Sequence, residues 1–163
     1  MLEKEEMKRA LEEAIQFEVD GREFFLKAAE KSKSYFAKLI FETIAEEELD
    51  HIRRVKEIYD QSPISKGPAG SLSDSQRSRL ENVFQEAKKK MDPNLIADQD
   101  ELEAIRLAIQ LEIKGHEFYK RLAEEVPGDF EKAFYRQLAE EESHHFTILH
   151  QVEEAILKST SFG

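Results

Sequence analysis

Glu48 and His51 stand three residues apart in Glu48-Leu49-Asp50-His51, and Glu142-Ser143-His144-His145 repeats that spacing. Residues three apart share one face of a helix, so each pair offers a carboxylate and an imidazole to the same point. Oxygen and nitrogen donors in that combination suit iron, manganese or zinc. One Glu-x-x-His alone reads as an ordinary surface pair. Two copies, each opposite a further inward Glu, form a ligand set: Glu18, Glu48 and His51 from one half of the chain, Glu112, Glu142 and His145 from the other.

The two halves are copies. At a constant offset of 94 residues, positions 14–51 align without a gap on positions 108–145. Ala14-Ile15-Gln16 matches Ala108-Ile109-Gln110, Glu18 matches Glu112, and Gly21, Glu23 and Phe24 match Gly115, Glu117 and Phe118. Ala45-Glu46-Glu47-Glu48 matches Ala139-Glu140-Glu141-Glu142, and His51 matches His145. Acidic amphipathic helices resemble one another by composition, but shared Gly and His at one ungapped offset go beyond composition.

Each copy must be a helical hairpin. Met7, Leu11, Ala14, Ile15, Glu18, Arg22, Phe25 and Ala29 recur at the spacing of one helix face, predicting a helix from about Leu2 to Glu30. Phe36, Ile40, Ile44, Glu48, His51, Val55 and Ile58 predict a second from Tyr35 to Asp60, joined to the first by a short turn. The second copy predicts helices over about 99–126 and 130–158, with Pro127-Gly128-Asp129 as the turn and Asp98 and Glu101 at the start. Glu18 and Glu48 lie equally far from their turn, ~22 Å along antiparallel helices at ~1.5 Å per residue, as do Glu112 and Glu142. All six groups therefore meet at one level on the apolar faces.

Four carboxylates in an apolar core are costly unless paired, and their mutual repulsion favours protonation. Arg22 is the main inward cation the pattern offers. Two divalent cations would balance the four charges, with two neutral imidazoles completing the set. One Glu from each of two helices, and Glu-x-x-His from each of the other two, is the ligand pattern of ferritin-like dimetal bundles. The expected fold is an all-α, ferritin-like antiparallel four-helix bundle of two repeated hairpins, 1–61 and 98–159, with a tail at 160–163.

Residues 62–97 form the crossover linker. Lys66-Gly67-Pro68-Ala69-Gly70-Ser71 breaks helix, whereas Ser73 and Gln76 resemble a capping box and Leu80, Val83, Phe84, Ala87 and Met91 predict a short amphipathic helix.

Composition narrows the chemistry. With no Cys among 163 residues, disulfides, thiolate zinc sites, iron–sulfur clusters and Cys nucleophiles are excluded from this chain. A formal net charge of −11 argues against nucleic acid or an anionic membrane as partner. No apolar run approaches membrane length and no signal peptide is evident, so a cytoplasmic protein is expected.

On these residues the chain resembles the rubrerythrin branch of the ferritin-like superfamily. Ala45-Glu46-Glu47-Glu48-Leu49-Asp50-His51 and Ala139-Glu140-Glu141-Glu142-Ser143-His144-His145 are similar to that family's two Glu-x-x-His segments, with Glu18 and Glu112 at the ligand positions of its first and third helices. The resemblance implies two metal ions, iron foremost with manganese or zinc as alternatives. It also implies chemistry with peroxide or dioxygen in oxidative-stress defence, and a homodimer, in which the long linker would permit exchanged hairpins. Full-length members carry a rubredoxin domain with four Cys; this chain has no Cys, which implies a separate electron donor of rubredoxin type. The family's usual extra Glu, three residues after the third-helix ligand, is Gly115 here, mated to Gly21. Ferroxidase with iron storage or buffering, and a structural or sensory metal-binding bundle, are the competing functions. Among other candidates, His116 is expected at the surface or beside the ligands, His144 and His150 at the surface, and Tyr119 in aromatic packing.

Overall fold

The structure is a computed structural model that describes residues 4–59, 74–91 and 98–160. It is all-α. Helix α1 spans Lys4–Lys31 and α2 spans Tyr35–Tyr59; α3 spans Asp74–Lys89; α4 spans Gln99–Glu125 and α5 spans Asp129–Thr160. The long helices fall where the apolar periodicity predicts them, and α5 reaches Thr160, two residues past the expected end. The capping box expected at Ser73 and the Lys66–Ser71 stretch lie outside the described residues.

The main packing pairs are α1 with α2 and α4 with α5, each joined by a three-residue turn, with α1 also against α4 and α2 against α5. Such short turns force antiparallel hairpins. The apolar residues fall into two clusters. One holds Phe25, Phe36, Ile40, Phe41 and Ile44 from the turn end of the first hairpin, Leu102, Ile105 and Ile109 from the start of α4, and Ile148, Leu149, Val152 and Ile156 from the end of α5. The other holds Leu11 and Ala14, Val55, and Tyr119, Leu122, Val126, Phe134, Tyr135 and Leu138 from around the second turn.

The two hairpins therefore point in opposite directions. A pseudo-twofold exchanges the two clusters: Phe25 in the first is the repeat mate of Tyr119 in the second, and Ile44 of Leu138. The end of α2 and the start of α4 therefore lie at opposite ends of the bundle. Helix α3 packs on α2 and α5 along the way, adding Leu80, Phe84 and Ala87 to the first cluster only.

The first turn is tied to the start of α4. Ser34 caps α2 by accepting from the Ala37 N–H at 3.1 Å, and its hydroxyl donates to Glu101 at 2.6 Å. Beside it, Lys33 pairs with Asp98 at 2.8 Å, and Asp98 caps α4 by accepting from the Asp100 and Glu101 N–H groups. Ser34 and Glu101 are both buried, so removing the hydroxyl strips a cap and leaves a carboxylate short of a donor. Ser34→Ala is expected to cost about 2 kcal/mol of stability in urea unfolding followed by circular dichroism, with Ser34→Thr losing much less.

Candidate metal centre

Between the two apolar clusters each long helix contributes to one polar layer: Glu18 from α1, Glu48 and His51 from α2, Glu112 from α4, Glu142 and His145 from α5. None is more than 2% exposed. The structure brings all six sequence-predicted residues together. One group is Glu18, Glu48, His51 and Glu142; the other is Glu48, Glu112, Glu142 and His145; in each, four donor atoms lie within 4.8 Å of one another. Glu48 and Glu142 belong to both groups, whereas Glu18 and His51 belong only to the first and Glu112 and His145 only to the second. The two imidazoles stack at 5.8 Å with 11° between their planes.

His51 Nδ1 lies 3.1 Å from Glu142 and 3.4 Å from Glu18; His145 Nδ1 lies 3.3 Å from Glu112 and 3.4 Å from Glu48. The far nitrogens are held by carboxylates of the opposite hairpin. His51 Nε2 meets Glu141 at 3.2 Å, and His145 Nε2 meets Glu47 at 3.0 Å. An imidazole that donates Nε2–H to a carboxylate keeps Nδ1 for a metal, and the carboxylate fixes the ring and strengthens it as a donor. Glu47 and Glu141 precede Glu48 and Glu142, and both are buried. Reading for ligands alone missed them, although the repeat kept both.

Several buried donor atoms aimed into the layer lack a hydrogen-bond partner: Glu18 Oε2, Glu48 Oε1, His51 Nδ1 and both oxygens of Glu142. Orphaned donors converging from three helices are what cations would satisfy, and the set of oxygens and imidazoles fits iron, manganese or zinc.

Without cations, protons must settle the charge. Burial pushes the Glu112 carboxyl up to about 7, helped by the charge of Glu48. Burial and neighbouring carboxylates raise Glu48 and Glu142 well above the ordinary range. Burial alone would raise Glu18 too, but the His51 charge overrides it and holds Glu18 at about 2. Glu141 stays at about 2 in the same way, against its burial, through His51 and Arg54. For both histidines burial favours the neutral ring, yet the surrounding carboxylates raise the pKa well above normal.

Three expectations need correction. Arg22 is only half-buried and its Nε has no partner; the cation that reaches the layer is Arg54, whose guanidinium pairs with Glu141 at 2.5 Å and Asp50 at 3.0 Å. Tyr119 does more than pack, since its hydroxyl donates to Glu18 Oε1 at 2.7 Å; burial and the Glu18 charge raise its pKa well above normal. His144 is half-buried rather than at the surface. His116 is half-buried too and binds the Ala139 carbonyl at 2.8 Å, while His150 is exposed.

The rubrerythrin family model matches residues 9–151, which takes in the whole of α2 and α4, most of α1 and α5, and every residue of this layer. The chain belongs to the rubrerythrin family. Neither curated proteins nor solved structures gave a match. No helix among the described residues is long and apolar enough to cross a membrane. At the position of the family's usual extra Glu, this rubrerythrin-family chain brings Gly115 close to the Glu142 carboxylate. A Cβ there would meet Glu142 Oε2 at 3.0 Å and Phe17 at 2.9 Å, whereas a Cβ at the mate Gly21 would make only ordinary contacts at 3.7 and 3.8 Å. Space beside the site is thus required at Gly115 and not at Gly21.

Two expected outcomes follow from this geometry. Gly115→Ala displaces Glu142 and weakens divalent-metal binding about tenfold, the low end of effects around a ligand shell. Gly21→Ala leaves binding unchanged and adds up to about 1 kcal/mol of helix stability. Metal titration and chemical denaturation separate the two. In metal-free protein, Glu112 keeps a proton that the unfolded chain releases above its ordinary 4.5, so stability falls as pH rises from there through about 7. His51 and His145 act with the same sign, because imidazolium stabilisation is complete below 6.5 and lost as pH rises through their elevated values. Glu18 and Glu141 contribute above 4.5 and lose stability only as pH falls toward about 2. With chelator present, calorimetry should give a lower melting temperature at about pH 8 than at about pH 5.5; a rise over that interval contradicts this proton inventory.

Proposed function

We propose that the chain is a non-haem di-iron oxidoreductase that reduces hydrogen peroxide, or dioxygen, with electrons from a separate donor protein. The observation that carries this reading is the pair of four-donor groups sharing Glu48 and Glu142. Shared carboxylates would hold two ions side by side, as chemistry on one O–O bond requires, whereas a structural site needs only one closed shell. Family membership supports iron as the pair.

Bound as ferrous ions, the pair would supply the two electrons that, with two protons, reduce hydrogen peroxide to two waters. The chain's part is to hold and shield. Glu18 and Glu112 would be terminal ligands, Glu48 and Glu142 bridges, and His51 and His145 the nitrogen donors through Nδ1. Glu141 and Glu47 orient the two rings. The apolar clusters on either side keep bulk water from the layer, and a side chain at position 115 would press on the Glu142 carboxylate and Phe17. Because the sequence contains no Cys, it offers no thiolate redox centre, which supports a rubredoxin-type donor acting from outside. We extend the proposal to a homodimer.

Anaerobic loading with two ferrous ions per chain, followed by stopped-flow addition of peroxide, tests this reading. Rapid oxidation of both ions by one equivalent is expected, with turnover once a reduced rubredoxin is added. Glu48→Ala is expected to abolish it, since both groups lose a ligand. Bound ferrous ions that ignore peroxide, or a cage-sized assembly in solution that accumulates iron, would replace the peroxidase reading with iron handling.

A further inference from the structure

The repeat makes the two positions identical in donor set: each has one terminal Glu, one His through Nδ1, and a share of Glu48 and Glu142. Any difference between them must come from the groups around the donors, and there the halves have diverged. At the Glu18–His51 position, Glu141 behind His51 is paired with the Arg54 guanidinium. The repeat mate of Arg54 is Ile148, a buried aliphatic residue. Glu47, the counterpart of Glu141 behind His145, is buried, pairs with His145, and among the described residues has no cation against it; its Oε2 lacks a hydrogen-bond partner. Tyr119 donates a hydrogen bond to Glu18. Its mate is Phe25, which has no hydroxyl for Glu112.

All three differences act in one direction. A cation near the Glu18–His51 position disfavours additional positive charge there. The Tyr119 hydrogen bond draws electron density from Glu18 and weakens it as a donor. Glu47 pairs with His145 with no cation competing for its carboxylate, which makes that imidazole the stronger donor. Resting on the dimetal reading above, we infer that the two positions are unequal in charge preference: Glu112–His145 is built for the more highly charged ion and Glu18–His51 for the divalent one. In a pair with one ferric and one ferrous ion, the ferric ion sits between Glu112 and His145. Arg54 and Tyr119 are positioning residues for this choice, since each acts through a ligand or the residue holding it.

The test is to load the full chain with one equivalent each of iron(III) and zinc(II), crystallise it, and record anomalous diffraction at both absorption edges. Iron is expected at the Glu112–His145 position with zinc at Glu18–His51, in an occupancy ratio on the order of tenfold. The variant Arg54→Ile with Tyr119→Phe gives the first position the surroundings of the second, and iron and zinc should then divide nearly equally. Either substitution alone should shift the ratio part-way, so the test survives failure of the double variant to fold. Equal division in the wild type, iron at Glu18–His51, or an unchanged ratio in the variants would overturn the inference while leaving the dimetal site intact. Absence of bound metal at both positions would overturn the site itself.

Discussion

Charge in a dry layer is the constraint on which the rest of this structure depends. Glu18, Glu48, Glu112 and Glu142 are almost wholly buried, and Glu47 and Glu141 stand behind the two histidines. Carboxylates this close and this shielded cannot all be ionised without partners. Metal-free, the layer resolves the conflict with protons: they collect on Glu48, Glu112, Glu142 and the two imidazoles, while Glu18 and Glu141 stay ionised against histidine. Two divalent ions would resolve it by taking the places of those protons, which is why the directions of the pKa shifts and the convergence of orphaned donor atoms describe one requirement.

The fold exists in the form that meets this requirement. Inverting one hairpin on the other sets Glu-x-x-His of α2 against Glu-x-x-His of α5 and brings one further Glu from each remaining helix beside them. It also gives both sides of the layer an apolar plug, one around Phe25 and Phe41, the other around Tyr119 and Tyr135. Inversion has a topological cost, since a chain leaving α2 at one end must begin α4 at the other. The ties from Lys33 and Ser34 to Asp98 and Glu101 anchor the far end of that crossover, so the turn of one hairpin helps register the other.

The bundle and the six inward donors were legible in the sequence because they follow from period and offset: one helix face, one hairpin arithmetic, and one ungapped repeat. The surroundings of those donors were not. Glu46, Glu47 and Glu48 are the same residue in a row, and only the inter-hairpin packing decides that Glu47 reaches across to His145. Arg53 and Arg54 are likewise adjacent; Arg53 serves surface partners on its own helix, while Arg54 turns inward to Glu141. Tyr119 lies on the same apolar stripe as its neighbours, and nothing in periodicity separates a hydroxyl that meets Glu18 from one that merely fits. These are facts of side-chain direction between helices, which spacing along one helix cannot hold.

The same distinction explains where the two halves agree and where they part. The shared donors bear the cost of burial directly, so losing one leaves its neighbours as uncompensated charges. Residues behind them are under a weaker constraint: Ile148 can stand where the other half has Arg54, and Phe25 where it has Tyr119, because packing is satisfied either way. Divergence therefore collects one shell outside the ligands, where it changes charge and hydrogen bonding without unmaking the site. A centre of two ions with identical ligands still needs a difference between them if one is to hold more charge than the other. For the pair of ions proposed here, that difference has only the residues behind the ligands to come from.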